Sequence, residues 1–398
     1  MKILVANLGS TSFKYRLYDL GDPAEPLLAK GSVERIGSDQ AKVTIWSPKR
    51  QIDLVEPIPD HAVAVSICLE QLTDPKLGVI ESEAEIAAIG FKAVHAGKIT
   101  GAHRITSKLL DVMDSFAEVA PAHNPPYIRA MRSLAKRFPD LPLVASFETG
   151  FHETIPQANK RYAIPDEWAT QFGVVRWGFH GASHRYIAGR MSEILNRNDM
   201  KVISCHLGGS SSLCAIRNGK SVACSLGMSP QSGLPQNNRV GDFDVFALPL
   251  LMRETGLPLE KILDTLANRS GLEGLSGTSR DLRDIETAAH QGDSRARLAI
   301  DVYIASIRHY LGAYLVELGG ADAIVFTGGI GENSRWIREG VCRDLSWFGI
   351  ELDPERNAAA KDESVVSSDH SRVQIWTVPT NEEIVVARQA RDLLASGG

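Results

Sequence analysis

Residues 201–220 read KVISCHLGGSSSLCAIRNGK, and their pattern decides the fold. Residues 201–205 are a short, mostly apolar run with the character of a buried strand. Leu207-Gly208-Gly209 then turns the chain sharply, and three serines follow. Leu213, Ala215 and Ile216 open a second strand, and Asn218-Gly219 is a strong hairpin signal. The order is strand, Gly/Ser turn, strand. Glycines let a backbone approach a ligand closely, and turn N–H groups with serine hydroxyls cradle phosphates. An ordinary hairpin with a small-residue turn gives the same local pattern, so a second observation has to decide.

The second observation is that the unit occurs twice. Residues 2–18 read KILVANLGSTSFKYRLY. Residues 3–6 are an apolar strand, Leu8-Gly9 the turn, Ser10-Thr11-Ser12 the polar run, and residues 13–18 alternate as a returning strand. Leu8-Gly9 aligns with Leu207-Gly208, and Asn7 with His206. The separation is too long for a solenoid period. It predicts an α/β protein of two related domains, each opening with a phosphate-type hairpin and facing its partner across a central cleft.

Length and composition agree. A chain of 398 residues exceeds one usual domain, and 43% hydrophobic residues supply two cores. A net charge of −5 argues against nucleic acid as the main partner. Cys68, Cys205, Cys214, Cys224 and Cys342 are scattered, without a CxxC pair, which argues against structural zinc and fits a reducing cytoplasm. No apolar run approaches the ~18 residues of a membrane span, and the N-terminus enters a strand without a leader pattern.

Along the chain, residues 31–36 and 41–46 read as further strands of a meander. Residues 62–72, 107–120 and 127–138 have helical character, and 143–147 is a buried strand. The domain change is placed at 149/150, with 150–382 forming the second domain and a C-terminal helix, 383–398, returning to the first. Residues 185–195, 248–254, 259–268 and 296–318 read as helices. Residues 227–244 form a long irregular loop, a length usually functional or disordered. Residues 324–327 are a strand, and Gly328-Gly329-Ile330-Gly331-Glu332-Asn333 opens a helix, a setting in which a nucleotide approaches glycine backbone. The run lacks the spacing of a Rossmann fingerprint.

These residues resemble the sugar kinase, Hsp70 and actin superfold and, within it, the acetokinase family of carboxylate phosphotransferases, from Ile3 to Arg388. The resemblance implies two actin-like, ribonuclease H-like domains and reversible transfer of the ATP γ-phosphoryl to acetate, giving acetyl phosphate and ADP by direct in-line displacement. It implies Glu148, His180 and Arg239 as catalytic groups, and Lys92, Val94, Ala122, Phe179 and Pro230 as acceptor contacts. Lys14, Ser10, Ser12, His206, Gly208, Gly209, Ser210, Asp281, Leu282, Arg283, Gly329, Ile330, Gly331 and Asn333 fall on nucleotide and phosphate positions. Asn7 and Glu382 fall on the positions of a Mg²⁺ (or Mn²⁺) site. His95 and His123 match positions that shape the floor of the site. A cytoplasmic homodimer with no membrane or nucleic-acid partner is implied too.

Several positions depart from the family. Lys92 replaces an arginine, losing a bidentate fork. Glu148 replaces an aspartate, adding a methylene. Gly209 and Ser210 stand where the family has asparagine and glycine, Asn238 and Val240 alter the loop motif around Arg239, and Ala122 is smaller than usual. Two alternatives therefore stay open: a propionate or longer-acid kinase, and a nucleotide-binding protein with weak or lost kinase activity.

Overall fold

The computed structural model describes residues 1–9, 11–48, 50–76, 78–117 and 124–397. The chain forms two compact units: Met1–Gly150 with Asn381–Gly398, and Phe151–Thr380.

The first unit is built on a sheet of order β5-β4-β3-β2-β1-β6-β8-β7. Its strands are β1 (Lys2–Leu8), β2 (Ser12–Asp19), β3 (Leu27–Glu34), β4 (Ser38–Ser47), β5 (Arg50–Ile58), β6 (Ile86–Ala93), β7 (Ala102–Arg104) and β8 (Leu143–Phe147). The alternation in β2 sets its faces. Phe13, Tyr15 and Leu17 are buried in the core, whereas Lys14 is exposed on the other face. Helices His61–Leu72, Ser107–Asp114 and Asn124–Arg137 cover the apolar face with Val65, Leu69, Leu109, Met113, Ile128 and Met131. The helix Glu382–Ala395, capped by Asn381 accepting from Ile384 N–H at 3.2 Å, packs on β1, β6 and β8.

The second unit carries a sheet of order β11-β10-β9-β12-β14-β13, with β9 (Lys201–Leu207), β10 (Ser211–Arg217), β11 (Lys220–Cys224), β12 (Ala323–Thr327), β13 (Ser364–Val365) and β14 (Gln374–Thr377). The 25-residue helix Ser294–Leu318 packs on β9 and β10 through a buried stripe including Ile300, Tyr303, Ile307 and Leu311. Helix Gly181–Leu195 lies against β9. The duplication read from the two hairpins extends to topology. In one unit β3-β2-β1 are antiparallel and β1-β6-β8 parallel; in the other β11-β10-β9 are antiparallel and β9-β12-β14 parallel.

Some boundaries differ from the sequence reading. The meander gains an edge strand, β5, which pairs with β4 and carries Pro57 near its end, where no central-strand bond is lost. The expected helix 107–120 is regular only to Asp114. The next helix begins earlier, at Asn124, because Pro125 and Pro126 fall in its first turn, where missing N–H donors cost nothing.

Gly90 on β6 gives this packing a test. A Cβ there would lie 2.9 Å from Val386 Cγ1 on the C-terminal helix. Gly90→Val is expected to lower unfolding free energy in urea by about 1–3 kcal/mol, the usual cost of overpacking. Unchanged stability would contradict the docking of the helix on β6.

Candidate active site

In the second unit, parallel pairing of β9 with β12 places Thr327 beside His206. The Gly208–Ser210 turn and the glycine run 328–331 therefore leave neighbouring strand ends. Ser211 closes the first turn: its Oγ accepts from Gly208 N–H at 3.2 Å and lies 2.8 Å from the Tyr303 hydroxyl. The glycines of the second turn are not equivalent. Gly328 has φ +76°, and a Cβ would meet Leu207 O at 2.7 Å. At Gly331 a Cβ would press on the Phe326 backbone at 3.3 Å. At Gly329 nothing lies within 4 Å. Gly328 and Gly331 are thus required by the fold, while Gly329 faces open space.

That space is a groove of about 560 Å³, lined by Gly208, Gly209, Asp281, Leu282, Arg283, Gly329, Ile330 and Asn333, with Asn237, Glu286 and Ser334. Asp281 caps helix Leu282–His290 and pairs with Arg283 at 2.5 Å. The Arg283 hydrogen bond holds the Asp281 carboxyl down to about 2. Gly328 N–H donates to Glu332 Oε1 at 2.8 Å, so the first amide of the glycine helix is engaged by its own chain.

The irregular loop is tied to the first turn through Asn237 N–H, which donates to Gly209 O at 3.2 Å. Arg239 Nη1 donates to Gln236 Oε1 at 3.1 Å and lies 3.5 Å from Ser210 Oγ. No carboxylate forms an ion pair with Arg239 among the described residues. Burial pulls its pKa below the ordinary arginine value, the mark of a desolvated cation held only by neutral groups.

Beside it runs a histidine–serine network. His180 caps helix Gly181–Leu195 with φ 55°, a left-handed conformation that costs energy outside glycine. Its Nδ1 lies 2.8 Å from Ser212 Oγ, which is 2.8 Å from His184 Nε2; His184 Nδ1 reaches Ser204 Oγ at 2.9 Å. His206 Nδ1 lies 2.8 Å from Ser183 Oγ, and its ring sits 4.4 Å from that of His180. Burial pushes the pKa of His184 well down, and that of His152 down to about 4, keeping both neutral.

The first unit gathers carboxylates around a lysine. Lys92 on β6 lies opposite Ser146 on β8, two residues before Glu148. Its Nζ is 2.6 Å from Glu382 Oε2, at the start of the C-terminal helix, and 3.4 Å from Glu148 Oε1. Burial opposes the lysine charge, but Glu382 and Glu148 outweigh it and raise the pKa well above the usual value. Asn7 donates through Nδ2 to Glu383 Oε1 at 3.1 Å, while its Oδ1 is buried without a hydrogen-bond partner. Asn7 and Lys14 line a 510 Å³ cavity on the polar face of the meander, with Arg16, Lys30 and Trp46.

Of the acceptor residues expected from sequence, Lys92 and the buried Val94 lie in the first unit, and Phe179 and Pro230 in the second. Ala122, Ser10 and His123 lie outside the described residues. His95 is buried, with Phe116 edge-on at 4.9 Å. Ser12 backs the first turn, its carbonyl accepting from Gly9 N–H at 2.7 Å. His206, Ser210 and Gly331 do not line the groove. Asn237, Glu286, Ser334, Ser212 and His184 escaped the sequence reading. Of these, His184 left a signal, as a second histidine close after His180 in the Gly178–His184 stretch.

A model of the Acetokinase family matches residues 2–388. The acetate kinase of Anoxybacillus flavithermus is 41% identical over 395 residues, covering 98% of each chain. That of Carboxydothermus hydrogenoformans is 40% identical over 400 residues, covering 100% of each. Among solved structures, Porphyromonas gingivalis acetate kinase has a TM-score of 0.88 at 38% identity, covering 99% of each chain. A propionate kinase from Francisella tularensis has a TM-score of 0.88 at 31% identity, covering 98% of each.

The open surroundings of Gly329 make a clean probe. Gly329→Val is expected to raise the Kd for ATP about tenfold or more by filling the groove, at unchanged melting temperature. Unchanged binding, measured by calorimetry, would remove the groove from nucleotide recognition. Lys92→Met leaves Glu148 and Glu382 without their cation. Because Lys92 is partly exposed, the expected loss in urea is about 1–3 kcal/mol at pH 8, below that of a fully buried pair. Because the Lys92 pKa is raised, the loss is fully present below the ordinary lysine value and fades only as pH rises through and beyond it. Equal stability of both proteins at pH 8 would contradict the bridging role.

Proposed function

The chain belongs to the acetokinase family, and on that premise we propose that its reaction is reversible transfer of the γ-phosphoryl of ATP to acetate, giving acetyl phosphate and ADP. The observation that carries the reading is a half-buried arginine, Arg239, with no carboxylate partner among the described residues and tied to the turn that borders the groove at Gly208 and Gly209. A phosphoryl group in transfer demands positioning and charge stabilisation rather than covalent chemistry, and a desolvated guanidinium offers both.

The proposed step is a single displacement. An acetate oxygen forms a bond to the γ-phosphorus as the bond to the ADP oxygen breaks. Arg239 holds the equatorial oxygens. His180 donates to them from Nε2, because the Ser212 hydroxyl, receiving a proton bond from neutral His184, donates in turn to His180 Nδ1. Asp281 and Arg283 line the groove, where they would meet the nucleoside, and Gly329 leaves room for backbone approach.

Mg²⁺ suits the donors present. The orphaned, buried Asn7 Oδ1 is a hard oxygen without a proton donor, and Glu148 and Glu382 stand in the same unit. No cluster of three metal-ligating side chains occurs among the described residues; Mg²⁺ typically takes one or two carboxylates and completes its shell with phosphate and water. When bound, the ion would neutralise charge on the nucleotide phosphates. Lys92 keeps the two carboxylates from repelling one another.

A homodimer is part of the proposal. Val245, Phe246, Leu250 and Leu263 are exposed within one stretch of the second unit, Phe246 to 85%, and a second copy would cover them. No helix of the described residues is long and apolar enough to cross a membrane. The five cysteines are buried and not joined in disulfides, which supports a reducing cytoplasm as the proposed location.

Trapping the acyl phosphate with hydroxylamine across acetate, propionate and butyrate tests the reaction and its acceptor range. ATP-dependent hydroxamate from acetate is expected, and its absence with all three acids would overturn the kinase reading. Arg239→Ala and His180→Ala are expected to lower kcat about 10²-fold or more while the KM for ATP changes only a few-fold, as for donors used in the transition state. Unchanged kcat in either variant would remove that residue from the step.

A further inference from the structure

Arg338 is the largest fully buried side chain of the described residues, at 2% exposure. No carboxylate pairs with it among them. Its guanidinium is satisfied by carbonyl oxygens alone. Nη1 donates to Gly331 O at 2.9 Å and to Glu332 O at 2.8 Å. Nε donates to Asn357 Oδ1 at 2.7 Å, and Nη2 to Asn357 O at 2.9 Å. Asn357 is itself buried and donates through Nδ2 to Arg335 O at 3.0 Å. Burial pushes the Arg338 pKa down to about 10. A buried cation without a counterion is expensive to keep, so what it holds has to need holding.

It holds the helix Gly328–Asn333, whose Gly329, Ile330 and Asn333 line the groove. Six residues are too few to form a stable helix unaided, since nucleation is unfavourable and few internal bonds follow. The ends of this one are fixed by charges. Glu332 receives Gly328 N–H at its start. Arg338 donates to the carbonyls of Gly331 and Glu332 in its last turn, where orphan acceptors carry partial negative charge. A neutral side chain at 338 would leave those carbonyls buried and unpaired. We propose that Arg338, oriented by Asn357, is a positioning residue that fixes the glycine helix against the nucleotide.

The proposal rests on the groove being the ATP site, and its test separates the two claims. ATP binding by calorimetry, the KM values for ATP and acetate, and melting temperature are measured for the native protein, Arg338→Met, Arg338→Lys, Asn357→Ala and the groove variant Gly329→Val. Lysine keeps the charge without the fork, and Asn357→Ala removes one bond from an intact arginine, so folded protein is available if the methionine variant fails. Arg338→Lys and Asn357→Ala are expected to raise both Kd and KM for ATP about three- to tenfold, because small displacements of a binding element are costly. The KM for acetate is expected to stay within about twofold. Lower melting temperature with unchanged ATP constants would overturn the positioning role and leave a purely structural one. ATP and acetate constants rising together would overturn it as well, showing general disorder. If Gly329→Val leaves ATP binding unchanged, the groove reading falls and the role of Arg338 falls with it; if only the 338 and 357 variants bind normally, the groove stands and this inference alone is wrong.

Discussion

The parallel pairing of β9 with β12 is the constraint on which the second unit depends. Its register sets Phe326 beside Cys205 and Thr327 beside His206. Both chains must then turn at the same level, and the space above is shared. Only a glycine with positive φ fits at 328, against Leu207 O. The long loop, pinned by Asn237 to Gly209 O, brings Arg239 to the first turn. The glycine helix, anchored at both ends, closes the other side. The groove is therefore a consequence of strand register, and its one unencumbered glycine is left for a ligand.

The two units use charge in opposite ways. In the first, Coulombic attraction from Glu382 and Glu148 outweighs desolvation, and Lys92 stays firmly protonated. In the second, desolvation wins at Arg239 and Arg338, whose partners are neutral oxygens. An arginine cannot respond by losing its proton near neutral pH, so at Arg239 the cost is carried by the folded protein, and in the proposed reaction an incoming anion would relieve it. The neighbouring histidines, buried and neutral, add donors without adding charge. This division suits chemistry in which a highly charged group changes hands without bonding to the protein.

Much of the fold was legible because its signals are local. The two strand–turn–strand units, the glycine run and the last helix with its Asn381 cap each lie within about twenty residues of sequence, the range over which periodicity and turn chemistry speak. The edge strand β5 was hidden by its acidic, Pro-containing face. The candidate site was legible as positions but not as partnerships. Lys92 and Glu382 are 290 residues apart, and nothing near either names the other. That a lysine stands with Glu148 reads in sequence as two separate departures; in space it is one ion-paired cluster. Arg338 is an ordinary helical arginine by sequence, and only tertiary burial makes it unusual.

In the proposed reaction, transfer between nucleotide and acceptor is direct, with Arg239 and His180 binding the group in flight and no side chain taking it. Glu148 and Glu382, the carboxylates that could otherwise act as nucleophiles, are engaged by Lys92. The configuration at phosphorus reports this most directly. With ATP made chiral at the γ-phosphorus by oxygen isotopes, acetyl phosphate formed by this enzyme is predicted to show inversion, the outcome of one in-line displacement. Retention, which requires two displacements through a phosphorylated side chain, would contradict it.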